Sequence, residues 1–196
     1  KDGTFFPIEL GINDLKMGNR RLFVGVTRDI TERKLAEETL RRHLELEEAI
    51  GDLQSWYITE EDWRGVFDRM LSKVLGLTNS EYGFIGEVLY DDEDKPYLKT
   101  YALTNIAWDG ETWKFYKENA PDGLVFSNLD TLFGAVMMTG EPVIANDPAN
   151  DPRSGGLPKG HPPLGAFLGI PFLKGKRLVG MMGIANRPGG YDSDVA

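Results

Sequence analysis

The loop between residues 146 and 163 carries most of the side chains that could do chemistry. Asp147 and Asp151 each follow an asparagine and precede a proline, and Arg153 and His161 lie further along. Two carboxylates at this spacing could coordinate a hard cation, act as an acid and base pair, or accept N–H groups of their own turns. Because they are not surrounded by the glutamine, serine or aromatic arrangement of a known hydrolase, we favour the turn role for both aspartates.

Arg153 and His161 are the other two polar candidates. Arg153 precedes Ser-Gly-Gly, a setting in which a guanidinium can bind a carboxylate or phosphate, or can pair with Asp147 or Asp151. His161 has no second histidine nearby, as a metal site would need, and no nucleophile and acid are evident for a catalytic role. We therefore expect His161 to hold the loop by hydrogen bonds or to contact a bound small molecule. No catalytic and no metal-ligating residue is predicted.

Proline and glycine make this loop stiff. Seven of the 11 prolines lie between residues 142 and 171, together with five glycines. Proline restricts the unfolded chain and glycine permits positive φ, so the mixture favours a long loop of fixed shape. Long ordered loops over a sheet are frequent sites of ligand contact.

Composition excludes several classes of function. The chain has 196 residues, a net charge of −9 and no cysteine. Disulfides, thiol catalysis, a thioether-linked bilin and a thiolate-ligated haem are therefore excluded, and the cofactor stays unassigned. The acidic balance disfavours nucleic acid and anionic membranes as partners. No apolar window approaches a membrane span and no secretory leader is visible, so we expect a cytoplasmic protein. Because the chain begins with lysine, we expect a piece of a longer protein.

The first 53 residues predict a hairpin and a helix. Apolar residues alternate over 6–12 and 22–26 around a Met-Gly-Asn turn. A helix is predicted from Thr31, as its cap, to about Leu53, supported by the ion pairs Glu37–Arg41 and Glu38–Arg42. Its apolar spacing fits either a short parallel two-helix coil with a stutter or a helix packed on its own domain.

The remainder alternates helices with strands. Thr59, followed by Asp62, predicts the cap of a second helix, whose apolar stripe runs from Trp63 to Leu75 and which Gly76 ends. Strands are predicted over 82–89, 96–103, 143–146, 166–173 and 177–186, and short helices over 111–119 and 130–139. The order predicts an α+β fold with helices on both faces of an antiparallel sheet.

Two stretches of this sequence resemble known families. Residues 143–192 include NDPANDPRSGGLPKGHPPL and resemble the C-terminal half of a GAF domain, in the subgroup whose loop reads NDP-x-x-DPRSGGLP-x-GHPPL. The element order matches that family from about residue 44 to 196, without the usual closing helix. The text KDGTFFPIEL…RRLFVGVTRDITERK resembles the last strands of a PAS domain. The resemblance implies PAS strands over 1–34, a connecting signalling helix over 35–53, and a GAF domain over 54–196 with its closing helix truncated.

The GAF resemblance implies a sensory role. Such modules occur in bacterial signalling proteins, including two-component histidine kinases and cyclic-di-GMP enzymes. It implies a small-molecule ligand, a homodimer through the helix 31–57, and a downstream output domain in the same polypeptide. The alternative is a ligand-free structural module for dimerisation or interaction. The GAF fold also hosts a methionine sulfoxide reductase that uses cysteines, which this chain lacks, so no enzymatic activity is expected.

The same resemblance suggests where a ligand would bind. In a GAF domain the middle segment roofs a pocket over the sheet, and this segment is rich in aromatic residues here. Plain core packing is the alternative role for them. The predicted ligand contacts are Trp108, Phe126, Phe133, Asp147, Arg153, His161 and Phe167.

Overall fold

The computed structural model describes residues 5–59, 62–104, 123–157, 161 and 163–193. The chain divides into two compact units, Lys1–Asp52 and Leu53–Ala196. The predicted helix over 111–119 lies outside the described residues.

The first unit contains the predicted hairpin. Strand β1 (Ile8–Met17) pairs antiparallel with β2 (Arg20–Asp29) through ten residue pairs. Gly18 in the connecting turn has φ of 60°, which glycine adopts without steric cost. Every residue of both strands is exposed, as expected for a two-stranded sheet.

Helix α1 (Thr31–Thr59) follows β2 directly and is longer than predicted. The predicted cap of this helix, the Thr31 side chain, is not the residue that accepts its first N–H group. The Asp29 carboxylate accepts both the Thr31 N–H, at 2.8 Å, and the Thr31 hydroxyl, at 2.6 Å. The capping acceptor is therefore Asp29, and Thr31 is the residue that donates to it.

Charged pairs on α1 follow the predicted spacing only in part. The pair Glu38–Arg42 forms, at 3.1 Å. Arg41 does not bind Glu37; it binds Glu38 and Glu45 instead. A long arginine can reach acceptors three or four positions away on either side, so spacing alone does not choose between them.

Helix α2 (Trp63–Thr78) begins the second unit's packed layer. The Asp62 side chain accepts the Arg64 N–H and caps the helix, whereas Thr59, the predicted cap, ends α1. At the other end Asn79 adopts φ of 54° and its N–H bonds to the last turn. The helix therefore continues past Gly76, the predicted end, to a left-handed asparagine.

The second unit is built on one six-stranded antiparallel sheet. Its elements are β3 (Tyr82–Tyr90), β4 (Pro96–Leu103), β5 (Val125–Phe126), α3 (Leu132–Thr139), β6 (Val143–Ala145), β7 (Phe167–Lys174) and β8 (Arg177–Ala185). The strand order is β5-β4-β3-β8-β7-β6, and every neighbouring pair is antiparallel. The predicted strands lie within one residue of these bounds, while β5 was not predicted. Thr131 and Gly140 cap α3, and Gly140 was the predicted end.

Each face of the sheet has its own core. Leu98, Val136 and Met181 are fully buried between the sheet and α3. Ile85 and Leu168 are fully buried on the opposite face, in the cluster that includes residues of α2. Successive strand residues point to opposite faces, so one sheet supports both layers. The predicted α+β fold with helices on both faces is confirmed. Among the helices described, none is long and apolar enough to cross a membrane.

Candidate functional site

Two facing glycines leave a flat area on the α3 face of the sheet. Gly169 on β7 pairs with Gly183 on β8, and Phe84 on β3 pairs with Gly183 from the other side. A Cβ atom at Gly183 would lie 2.5 Å from the Phe84 ring and 3.1 Å from the Phe167 ring. A Cβ atom at Gly169 would lie 2.6 Å from Val136 of α3. Both glycines are thus required for the two rings and the helix to approach the backbone.

Three phenylalanines from three elements meet above this area. Phe84, Phe126 and Phe133, here called the aromatic cluster, come from β3, β5 and α3. Ring centroids are 5.6 Å apart for Phe126–Phe133 and 6.4 Å for the other two pairs, with interplanar angles of 41° to 87°. Tilted and edge-to-face rings at these distances attract each other. The three rings are half-buried and pack against the core that includes Phe167.

The position of Phe126 depends on a buried threonine. The Thr100 N–H donates to the Leu124 carbonyl and the Leu124 N–H donates to Thr100 Oγ1, both at 2.9 Å. Thr100 is only 3% exposed, so these bonds are shielded from water. They fix β5 and with it Phe126, where the chain returns after residues 105–122.

The structure therefore brings together three of the predicted contacts and adds one. Phe126, Phe133 and Phe167 share the α3 face, and Phe84, which was not among the predicted contacts, joins them. The signal that could have selected Phe84 is its position directly after Gly83 in a predicted strand. Trp108 lies outside the described residues.

The turn-rich loop has its own internal bonds. Asp147 Oδ2 accepts the Asn150 side-chain N–H at 2.8 Å, and the Asp147 carbonyl accepts the Asn150 backbone N–H at 3.1 Å. The Asp151 carbonyl similarly accepts the Ser154 N–H. Both aspartates stabilise the turns that they begin, which is the role we favoured from the sequence.

Arg153 is engaged within the same loop. Its Nε and Nη2 atoms donate to the two Asp151 carboxylate oxygens at 2.9 and 2.7 Å, and Nη2 also donates to the Ile144 carbonyl at 2.9 Å. Arg153 is the main reason that the pKa of Asp151 falls to about 2. The guanidinium therefore links the loop to β6 and stays partly exposed, with 42% of its side chain accessible.

The two ends of the loop are held by asparagine side chains. Asn186, at φ of 61°, donates from Nδ2 to the Tyr82 hydroxyl at 2.6 Å and accepts the Gly165 N–H at 2.8 Å. Asn146 bonds to Tyr191 at the other end. Between these ends, Gly155 lies directly against the backbone before α3, where a Cβ atom would overlap the Asp130 carbonyl oxygen. The loop is consequently attached to the sheet and to the start of α3.

His161 is half-buried and has an interaction partner of its own. In the described ranges, no group of three histidine or carboxylate side chains is placed to hold a metal ion. The described residues offer an aromatic surface for apolar contact, and the loop with its polar groups is attached to the segment before the helix that supplies Phe133.

Comparison with known proteins agrees with this geometry. A family model for the GAF domain matches residues 60–196. The methyl sulfide methyltransferase-associated sensor of Methanosarcina acetivorans is 28% identical over 199 residues, an alignment that covers 100% of this chain. The chain spans 19% of that relative's length.

Solved structures share the fold at low identity. The GAF domain of a phosphoenolpyruvate-protein phosphotransferase from Coxiella burnetii has a TM-score of 0.60 at 14% identity, covering 80% of this chain and 84% of that one. The free methionine-R-sulfoxide reductase of Neisseria meningitidis, solved with its substrate, has a TM-score of 0.52 at 11% identity, covering 75% of each chain. At these identities the likeness concerns the fold alone.

Proposed function

This chain belongs to the GAF family, and from that premise we propose that it is the sensory module of a multidomain signalling protein. In this proposal a small molecule binds on the α3 face of the sheet. The signal passes through a dimeric helix to an output domain in the same polypeptide, such as a histidine kinase or a cyclic-di-GMP enzyme, in the cytoplasm. The relative over the whole chain is itself named a sensor, which supports the general role.

The aromatic cluster is the single observation that carries the proposed ligand site. Its rings present apolar faces above Gly169 and Gly183. They lie beside Thr104 and Gly123, between which the chain is not described. Ligand sites in proteins are mostly apolar with a few polar anchors. We assign the apolar contacts to Trp108, Phe126, Phe133 and Phe167.

The polar anchors in this proposal come from the turn-rich loop. Asp147, Arg153 and His161 lie on it, and its bond to β6 and its contact before α3 connect it to the same face of the sheet. Arg153 keeps part of its side chain exposed while paired with Asp151, so its guanidinium can also bind an anionic group of a ligand.

A ligand can change the output only if it favours one of two arrangements. Coupling between sites is typically about 1–3 kcal/mol, and it requires different affinities for the two states. Helix α3 contributes Phe133 to the aromatic cluster and Val136 to the core, so a change at the cluster moves a helix rather than a single side chain. The proposed relay ends in helix 31–57 of each protomer.

The ligand site is tested by thermal unfolding of the full chain with a panel of compounds. The panel contains cyclic AMP, cyclic GMP, free methionine and dimethyl sulfide. The last is included because of the relative's name and because sulfur contacts aromatic rings favourably. A ligand at a hundred times its dissociation constant should raise the melting temperature by about 5 to 10 °C.

Matched variants locate the site. Phe133→Leu should abolish most of the ligand-induced shift, while Phe172→Leu, the same change on the opposite face of the sheet, should retain it. A shift that both variants retain would place the ligand elsewhere. No shift with a broader metabolite panel would reject the sensory role.

A second candidate, a ligand-free dimerisation module, is favoured by the surface of α1. Leu35, Leu40, Leu44, Leu46 and Ile50 are each more than half exposed in the single chain. A helix with such a surface is suited to a partner helix. Dimerisation together with no response to any ligand would favour this candidate over the sensor.

We also propose that the chain itself has no turnover. A turnover assay with free methionine sulfoxide, the natural control for a fold shared with a reductase, should give no product. Measurable reduction by this cysteine-free chain would overturn the assignment.

A further inference from the structure

Two turns of opposite charge lie side by side at one end of the sheet. The acidic turn, residues 91–94, joins β3 to β4 and has the sequence Asp-Asp-Glu-Asp. The basic turn, residues 174–177, joins β7 to β8 and has the sequence Lys-Gly-Lys-Arg. Because β3 and β8 are antiparallel neighbours, the end of β3 and the start of β8 lie at the same end of the sheet.

Direct contacts hold the two turns together. The Arg177 guanidinium lies 5.1 Å from the centre of the Tyr90 ring, which places a cation over an aromatic face. The Tyr90 hydroxyl donates to the Leu178 carbonyl at 3.1 Å. Arg177 and Tyr90 are the residues at which the basic turn and β3 end, so the spacing between the turns is fixed.

An open groove of about 500 Å³ lies between the turns and the end of α3. Asp94 and Lys176 line it from the two sides, and Met137 and Leu178 contribute apolar surface. Met138, which is 63% exposed, and Leu173, which is 53% exposed, also line it. Large apolar side chains that are this exposed beside a concave surface are typical of interaction sites.

Several charges of the two turns form no ion pair within the described chain. In the part of the chain that the structure describes, Lys174 and Lys176 have no carboxylate within 4 Å. The Asp91 carboxylate is used inside its own turn, where it accepts the N–H groups of Glu93 and Lys95. The remaining carboxylates of the acidic turn are available to an external cation.

We propose that this end of the sheet binds the same end of a second copy of the chain. In a two-fold arrangement, the acidic turn of one copy faces the basic turn of the other, and the apolar sides of the two grooves meet. A two-fold interface must be self-complementary, and a surface that carries both signs of charge around an apolar centre fulfils this condition.

The charges of the two turns favour a second copy of the chain over a peptide of a single charge. An acidic peptide would be attracted by residues 174–177 but repelled by residues 91–94, and a basic peptide would meet the opposite conflict. A second copy satisfies both turns at once. This contact is separate from the helix α1 and does not depend on a ligand.

The experiment exchanges the charges in the full chain. The acid-reversed variant carries Asp92→Lys, Glu93→Lys and Asp94→Lys, which leave Asp91 to hold the turn, and the base-reversed variant carries Lys174→Glu and Lys176→Glu. Both are made in a background with Leu46→Lys and Ile50→Lys, which removes association through α1. Sedimentation measures the association constant at low salt and near 1 M salt, where charge interactions are screened beyond about 3 Å.

The unreversed background chain should self-associate at low salt and less at high salt. Each reversed variant alone should associate at least tenfold more weakly, because like charges then face each other. An equimolar mixture of the two variants should recover the association, and so should the chain with all five reversals.

Three results would overturn the proposal: a monomeric background chain at low salt, reversed variants that associate as strongly as that chain, or no recovery in the mixture. Unchanged melting temperatures of the variants establish that each reversal acts on association and not on folding.

Discussion

Asn146 and Tyr191 exchange two hydrogen bonds across 45 positions of the chain. The Asn146 Nδ2 atom donates to the Tyr191 carbonyl at 2.9 Å, and the Tyr191 N–H donates to Asn146 Oδ1 at 2.8 Å. The Tyr191 ring is buried, and its hydroxyl bonds to Ser80 at 2.7 Å. One amide side chain thereby connects the start of the turn-rich loop to the segment after β8 and, through Ser80, to the end of α2.

Asn146→Ala should destabilise the second unit by about 1–3 kcal/mol, because it leaves a donor and an acceptor of a part-buried backbone unsatisfied. Urea unfolding of the full chain followed by tryptophan fluorescence measures the loss. Asn150→Ala is the matched control from the same loop, since it removes only an exposed bond to Asp147 and should cost less. Equal losses would contradict the role given to Asn146.

Asp151→Asn should lower stability at neutral pH and hardly change it in strong acid. The pKa of Asp151 is about 2 in the folded chain, chiefly because of the hydrogen bonds from Arg153, against about 3.9 when unfolded. A depressed pKa contributes stability that is fully present above about pH 4 and is lost as the pH falls toward 2.

The size of this effect is limited by the exposure of Arg153, which allows solvent to screen the pair, and we expect about 1 kcal/mol at neutral pH. Thermal unfolding of both forms over a pH series measures the difference. A difference that is constant from neutral pH to about pH 2.5 would exclude the ionised pair as its cause.

Gly183→Ala and Gly76→Ala should change stability in opposite directions. The methyl group at Gly183 would collide with the Phe84 ring in a filled core, and such overpacking costs about 1–3 kcal/mol. Gly76 is exposed within α2 and has nothing within 4 Å of the added carbon, so alanine there should add about 0.5 to 1 kcal/mol. Chemical unfolding of both variants tests the pair, and a tolerated Gly183→Ala would mean that the aromatic cluster can move aside.

The combined change Leu46→Lys and Ile50→Lys should weaken dimerisation through α1 by at least about tenfold, because charges cannot be buried between two helices without a partner. Both side chains are more than half exposed in the single chain and lie one turn apart. Glu48→Lys, on the opposite face of the helix, is the control and should leave the association constant unchanged. Sedimentation equilibrium near 1 M salt, where charge interactions between the turns are screened, measures all three. An unaffected dimer in the double variant would remove α1 from the proposed relay.

The layers of the fold were readable from the sequence, but several element ends were not. Apolar periodicity placed α2 and the long strands because burial on one face requires it. Thr59 and Asp62 are both good capping residues, and only the length of α1 decides which of them begins α2. Strand β5 has two residues, too few for any periodicity, and it exists because buried Thr100 holds Leu124.

The candidate site was predictable in its residue types more than in its contacts. Phe126, Phe133 and Phe167 pack on one face of the sheet, and their contact with a ligand stays a prediction. Phe84 was missed, since its place follows from the register that sets it opposite Gly183. Residue spacing along the chain does not indicate that Phe84 lies opposite Gly183.

The sheet of the second unit has its shortest strands at its margins. In the described chain, β5 has two residues and β6 has three, while the four strands between them have eight or nine. A margin with so few free backbone groups offers little template for another strand, which protects against stacking into fibrils and against capture of extended peptides. Loss of β5 or β6 would remove the two or three residue pairs that each makes with β4 or β7 and lengthen the unpaired edge, so aggregation on heating should begin with the loss of these two margins.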